Sequence, residues 1–354
     1  MKVALLFDGA SAYATNPDQL ILGTVEAIEQ SLVSEGNEVG YIPVFNDGKW
    51  IEKLRRGKFD LAFNMCEGID GVAALESSVI GVLELFRIPF TGASSYCTAV
   101  CLRKHIINSH LEKAGLPVPR FASMRRGDPL VTVGYPAIVK PAAEDASLGV
   151  EQRSVVRNTR QLAARVTSML ELWDEIIIQR YIDGREVNVG IIGDTVLPIS
   201  EIDFRRMPAG HWRIVTYQSK WETGSAEDLG AVPRCPARMP AKLAAEVRRV
   251  ALHAWKLAGG FGYGRVDMRI DANGQPWILE VNANPDIAPD AGLARMARVA
   301  GIEYPALIRE ICQLGLAQAR AEVSAVPDEW DLARDLSGVT IKPSELDLFA
   351  VGQD

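Results

Sequence analysis

Apolar positions in the first hundred residues switch between two periods. Lys2 to Phe7 is a short apolar run, the pattern of a strand covered on both faces. It stops at Asp8-Gly9, too soon for the core of a secretion leader. From Asp18 to Glu35, Ile21, Val25, Ile28 and Leu32 recur at helical spacing, and Gly36 closes the helix. Glu38 to Val44 and Phe59 to Asn64 are strand-like, Ser77 to Phe86 is helical, and Ile88 to Thr91 is a short edge segment. Strand and helix in turn predict a parallel sheet with helices on its faces. Thr98 to Ala114 predicts one more helix, ended by Gly115 and Pro117.

Beyond that helix the rhythm changes. Tyr135 to Lys140, Glu175 to Tyr181, Glu186 to Ile192 and Val196 to Ser200 predict strands, with one helix over Arg160 to Leu172. Ala241 to Ala258 predicts a helix burying Leu243, Val247, Val250, Ala254 and Leu257. Two strands follow, Arg265 to Ile270 and Pro276 to Val281, then a last helix from Tyr304 to about Arg320. The fold class is therefore α/β at the start and α+β, with antiparallel sheets, afterwards. The expected division is 1–95 as an N-terminal α/β domain, 96–183 and 184–318 as two further subdomains, and 319–354 as a loosely packed acidic tail.

Composition removes several functions. Apolar residues make up 48% and charged residues 23%, so a folded chain is expected. No apolar run approaches membrane-spanning length. The net charge of −7 argues against nucleic acid as a partner. Five cysteines without a Cys-x-x-Cys pair suit reduced thiols and a cytoplasmic setting. The four histidines form no zinc-binding cluster.

The chemistry concentrates in Arg265 to Asn282. Asn273-Gly274 between two apolar runs predicts a two-residue hairpin turn. Asp267 then opposes Glu280, Arg265 opposes Asn282, and all four share one face. The other face would carry Val266, Met268, Ile270, Trp277, Leu279 and Val281. Opposed carboxylates about 5 Å apart repel unless a cation lies between them. One or two Mg²⁺ ions shared with phosphates fit that demand, and Asn282 adds a neutral oxygen. The alternative is a solvated face with Arg265 paired to Glu280. Lys140 precedes a small-residue loop, Pro141 to Gly149, whose backbone N–H groups can fold over phosphates. Gly-Lys at 48–49 and 57–58 lacks the P-loop spacing. The glycine run 259–264 lies between helix and strand, the reverse of a dinucleotide fingerprint, and reads as a tight connection.

Together with Phe90-Thr-Gly92, Leu102-Arg-Lys104, Ala114-Gly-Leu-Pro-Val118, Val139-Lys-Pro141, Tyr181-Ile-Asp-Gly-Arg-Glu186 and Ser219-Lys220, these residues resemble the ATP-grasp superfamily, most closely the D-alanine–D-alanine ligases. The resemblance runs from Met1 to about Gln318. It implies an ATP-grasp fold behind an N-terminal parallel α/β domain, and a ligase that joins a small carboxylate to an amine through an acyl phosphate. ATP and Mg²⁺ (two ions, or Mn²⁺) would be the cofactors. Lys104, Lys140, Ser147, Gln179, Tyr181, Ile182, Glu186 and Lys220 would hold ATP, with Gln179 to Ile182 along the adenine edge and Glu186 at the ribose. Asp267, Glu280 and Asn282 would bind metal, and Arg265 would stabilise the oxyanion. A homodimer is implied as well. Outside these readings stand an authentic D-alanine–D-alanine ligase, an ATP-grasp phosphotransferase and a non-catalytic nucleotide-binding protein.

The sequence departs from the resemblance in its amino-acid half. Tyr13 stands where the ligases have a glutamate for the first substrate's ammonium. Ala146 replaces the phosphate-loop serine, Trp221 a tyrosine, and Ala291 the serine that holds the acceptor's carboxylate. Asp286 and Asp290 add acid to that loop. Tyr13, Trp221 and Asp286 are thus candidate substrate residues. Substrates other than D-alanine are expected.

Overall fold

The computed structural model describes residues 1–10 and 19–325. Tyr13 and the stretch after Ala325 lie outside the described residues. The chain starts with β1 (Lys2–Asp8), α1 (Gln19–Ser34), β2 (Glu38–Val44), α2 (Lys49–Gly57), β3 (Leu61–Asn64) and α3 (Glu76–Leu85). The three strands form a parallel sheet in the order β2-β1-β3. The central position of β1 explains its unbroken apolar run, because Val3, Ala4, Leu5 and Leu6 are fully buried.

Next come α4 (Ser95–Leu102) and α5 (Lys104–Lys113), where the sequence predicts a single helix. The Ser94 hydroxyl accepts from the Cys97 amide at 3.2 Å and starts the first of them. At Arg103 the backbone leaves helical dihedrals (φ −84°, ψ 88°), and the Lys104 amide donates across to the Ala142 carbonyl at 2.9 Å. The break turns Lys104 toward the loop after Pro141.

A four-stranded antiparallel sheet follows, built from β4 (Phe121–Arg125), β5 (Ala137–Pro141), β6 (Val155–Val156) and β7 (Glu175–Arg180), in the order β4-β7-β5-β6 and backed by α6 (Thr159–Leu170). A longer antiparallel sheet contains β8 (Arg185–Ile192), β9 (Thr195–Val196), β10 (Ser200–Asp203), β11 (Val232–Arg234), β12 (Tyr263–Ile270) and β13 (Pro276–Asn282). Its main path is β11-β10-β8-β12-β13. The single strand expected over Val196 to Ser200 is two strands, since Pro198 lacks an amide for the ladder. The short helix α7 (Tyr217–Trp221), then α8 (Ala241–Leu257), α9 (Gly292–Val299) and α10 (Tyr304–Ala325) complete the chain. The last helix runs beyond the expected start of the tail and packs against α1. Among the described residues no helix is long and apolar enough to cross a membrane.

Helix α8 buries Val247, Val250, Ala251, Ala254 and Trp255, whereas Leu257 is 39% exposed, contrary to expectation. The Trp255 ring occupies the space where Gly260 and Gly264 lack side chains. A Cβ would lie 2.1 Å from the ring at Gly260 and 2.4 Å at Gly264. The glycine run therefore lets α8 lie close upon β12. Gly184 does comparable work between the two large sheets. It has φ +152°, and a Cβ there would lie 2.0 Å from the Ile270 carbonyl oxygen.

Candidate active site

A cleft of about 540 Å³ lies between the four-stranded sheet and the face of β8, β12 and β13. On its floor Arg265 pairs with Asn282 and Asp267 with Glu280. That register is the expected one, but it is reached differently. The turn spans Asp271 to Gln275, with the Asp271 carboxylate accepting the Asn273 and Gln275 amides at 2.8 and 3.0 Å. This offsets the strands by one residue, and a bulge at Asp267/Met268 restores the pairing beyond it. The bulge also changes which residues face the core. Ile278 is buried with Val266, Met268, Ile270 and Val281, while Leu279 lines the cleft and the Trp277 indole binds Asp271 at 3.0 Å.

Arg265 pairs with Asp267, not with Glu280. Its Nε and Nη2 reach the two carboxylate oxygens at 2.7 and 2.8 Å. Burial opposes the arginine's charge, but Asp267 and Glu280 outweigh it and hold the guanidinium charged. Nη1 stays without a partner among the described residues and faces the cleft. Asn188, opposite Asp267 on β8, donates to Asp267 Oδ1 at 2.7 Å.

Lys104 is 4% exposed, with Nζ 3.5 Å from Asp145 and 3.9 Å from Glu280, and it also donates to the Glu144 carbonyl. Burial alone would lower its pKa, yet Glu280 and Asp145 reverse the balance and raise it. Lys140, on β5, has no ion pair among the described residues. Burial pushes its pKa down, Lys104 adds to the shift and Glu280 opposes it. Beyond it the backbone enters the left-handed region at Ala146 (φ +54°) and Ser147 (φ +61°). The Leu148 and Val150 amides bond within this loop, leaving those of Ala146 and Ser147 without acceptors among the described residues.

The other end of the cleft is built on the link between the two sheets. Gln179 is 1% exposed, and its Nε2 has no partner among the described residues. Tyr181 meets Trp212 edge-on, with ring centroids 5.1 Å apart. Glu186 Oε2 is gripped by Arg269 Nη2 and Nε at 2.7 and 3.2 Å, while Oε1 accepts nothing among the described residues. Ile182 offers its carbonyl to Arg269 at 3.0 Å.

At the substrate end, the Trp221 indole N–H donates to the Ala146 carbonyl at 3.1 Å, tying α7 to the phosphate-loop candidate. Lys220 beside it is exposed and lines the cleft. Asp286 caps its own turn by accepting the Ala288 amide at 2.8 Å. Asp290 lines the cleft, and Ala291 precedes α9 without a side-chain cap. Asn284 staples this loop to the first lobe, donating to the Cys66 carbonyl at 3.1 Å and to Glu76 at 3.0 Å. The staple brings Glu67 toward the cleft. Glu67 reaches solvent yet is walled by protein on its other sides. Desolvation by those walls, with Asp286 and Asp145, lifts its pKa to about 7 against the pull of Lys220 and Arg265.

The donor set suits a hard divalent cation. Asp267 and Glu280 are directly opposed, and Asn282 keeps its Oδ1 turned to the same loop, where it accepts the Asn284 amide at 2.9 Å. Arg265 and Lys104 now supply the positive charge that this pair of acids requires. Two carboxylates and a neutral oxygen match the few protein ligands Mg²⁺ takes when phosphates complete its shell.

No motif points to Asn188, Glu67, Asn284 or Arg269. One signal does reach Arg269, which lies two residues past Asp267 on the same strand and so on the same face.

Residues 111–313 match the family model described as D-ala D-ala ligase C-terminus. A D-alanine–D-alanine ligase of Dechloromonas aromatica is 30% identical over 320 residues, 88% of this chain and 97% of that protein. One of Citrifermentans bemidjiense is 32% identical over 313 residues, 88% of this chain and 95% of that protein. An uncharacterised protein of Sinorhizobium fredii, y4sG, is 30% identical over 302 residues, covering 83% and 85%. The crystal structure of a D-alanine–D-alanine ligase from Bacillus anthracis complexed with ATP superposes with a TM-score of 0.74 at 23% identity, covering 91% of this chain and 99% of that one.

Proposed function

The chain belongs to the D-alanine–D-alanine ligase family of ATP-grasp enzymes, ATP-dependent ligases that form a C–N bond, and from that premise we propose that it joins a small carboxylate to an amine other than the D-alanine pair. The observation that carries this reading is the shared face of Arg265, Asp267, Glu280 and Asn282 at the floor of a nucleotide-sized cleft, with Lys104 and Lys140 beside it.

Lys104 and Lys140 would neutralise phosphate oxygens, and the unpaired amides of Ala146 and Ser147 would cap them. Gln179 to Ile182 would lie along the adenine, Glu186 would hold the ribose and Lys220 would approach the phosphates. Asp267, Glu280 and Asn282 would hold Mg²⁺, which when bound neutralises charge on the transferring phosphoryl group. Arg265 would face the oxyanion formed when the amine attacks the acyl phosphate and phosphate leaves, and a metal held by Asp267 would compete with Arg265 for that carboxylate. The loop 144–149, held by Trp221, would keep water from that intermediate.

The substrate end supports different substrates. Relatives of this chain are D-alanine–D-alanine ligases, but here the loop that follows the metal-site asparagine carries Asp286 and Asp290 and ends in Ala291. A carboxylate bound without partners loses its hydration uncompensated, which disfavours it strongly. The test is ADP release with ATP, Mg²⁺ and paired amino-acid and amine pools, with products read by mass spectrometry. The expected result is an amide formed from one pair at a rate at least about a hundredfold above D-alanine alone. Turnover with D-alanine equal to the best pair would return the chain to the D-alanine ligases. A stable phosphorylated product and no amide would end the ligase assignment.

A further inference from the structure

Arg269 is the most heavily engaged buried cation of the cleft, and no step of the proposed reaction uses it. It is 2% exposed. Its Nη2 and Nε hold one oxygen of Glu186 at 2.7 and 3.2 Å. Its Nη1 donates to the Tyr181 hydroxyl at 3.1 Å and to the Ile182 carbonyl at 3.0 Å, and Nη2 also reaches the Arg213 carbonyl. The guanidinium carbon lies 5.0 Å from the Tyr181 ring centre and 5.7 Å from that of Phe204. Four segments thus meet at one side chain: β12, the start of β8, the link between the sheets, and the loop before α7.

The asymmetry at Glu186 gives the arrangement a direction. Both hydrogen bonds from Arg269 to Glu186 fall on Oε2, Oε1 has no partner among the described residues, and Glu186 lines the cleft. A glutamate side chain alone has several rotamers available and no reason to present one oxygen. Two N–H bonds from a buried guanidinium to one oxygen remove that freedom before any ligand arrives.

We propose that Arg269 is a positioning residue for nucleotide selection: by fixing Glu186 Oε2 it aims Oε1 at a vicinal ribose diol, so that the cleft prefers ribonucleotides to deoxyribonucleotides. The inference rests on the reading of Glu186 as the ribose contact. Arg269 touches no nucleotide itself. Its effect passes through Glu186, and its bonds to the Ile182 and Arg213 carbonyls keep the walls on either side in place.

The experiment is calorimetric binding of Mg·ATP, Mg·2′-deoxy-ATP and Mg·3′-deoxy-ATP to the full chain and to Glu186→Gln, Arg269→Met and Arg269→Lys variants. The parent should prefer ATP over at least one deoxy analogue by about tenfold, the scale of one well-aligned hydrogen bond to a charged group. Arg269→Met should bring that ratio to within about twofold of unity, as should Glu186→Gln. Arg269→Lys, which keeps the charge but not the fork, should fall between. An Arg269→Met protein that loses affinity equally for all three nucleotides, or keeps the parent's ratio, overturns the proposal. Should that variant fail to fold, Arg269→Lys decides, and an undiminished ratio refutes it. A parent without any preference refutes the ribose reading of Glu186, and the proposal falls with it. That failure shows in the parent alone, so the two are told apart.

Discussion

The two ends of the cleft treat charge in opposite ways. Around the hairpin and the inter-sheet link, most charged groups have a partner within 3.9 Å: Lys104 with Asp145 and Glu280, Arg265 with Asp267, Asp267 with Asn188, Arg269 with Glu186. At the other end, Glu67 has no ion pair among the described residues, and Asp286 accepts only an amide of its own turn. One end is preorganised for a ligand of fixed shape and charge. The other holds acids whose repulsion Lys220 and Arg265 offset only in part. On the proposed reading, ATP takes the first end and the substrates that vary take the second.

The largest test of this contrast is Asp267→Asn. It leaves Arg265 without its bidentate partner and removes one of the two opposed carboxylates. ATP-dependent turnover, followed as ADP release, should fall by about 10²–10³, the scale of losing a preorganised charge at the reacting centre. A fall below tenfold would detach the hairpin from the chemistry.

Asn284→Ala probes the joint between the two ends. It strips a hydrogen bond from the Cys66 carbonyl and from Glu76, a carboxylate only 4% exposed whose pKa burial and Asp145 already push well up. The expected loss is about 2–3 kcal/mol in denaturant unfolding, since two buried acceptors lose a donor. An unchanged midpoint would mean that the lobes are held together elsewhere.

The smallest effect belongs to Glu67→Gln. The Glu67 pKa of about 7 exceeds the ordinary 4.5, so the folded chain holds this proton more tightly than the unfolded one. The stability that follows is fully present below pH 4.5 and is lost as pH rises through 7. Glutamine escapes that loss, and the variant's melting advantage should grow from pH 4.5 to pH 8. Solvent screening at this accessible position limits the gain to less than about 1 kcal/mol. A melting difference that is flat with pH would remove the acid crowding from this end.

The sequence carries the paired end more openly than the unpaired one. Period-two alternation is enough to put Arg265, Asp267, Glu280 and Asn282 on one face, because a strand's geometry is rigid. Even there the turn is longer than Asn273-Gly274 suggests, and the bulge that compensates for it depends on packing that no local pattern records. The helix break at Arg103 is similar. Thr98 to Ala114 is continuous in period, and only the Ala142 carbonyl, 38 residues downstream of Lys104, explains why the chain turns there. Asn284 meets Cys66 and Glu76 across more than two hundred residues, so the contact is invisible to spacing. Tyr13, the remaining substrate candidate, lies outside the described residues.

The most direct measurement is a crystal structure of the full chain with a non-hydrolysable ATP analogue and Mn²⁺, read by anomalous scattering. The account predicts manganese between Asp267 and Glu280 with Asn282 in its shell, phosphates at Lys104 and Lys140, and Arg265 turned away from Asp267. Metal or nucleotide bound elsewhere, with the Arg265–Asp267 pair intact beneath an empty cleft floor, would contradict it.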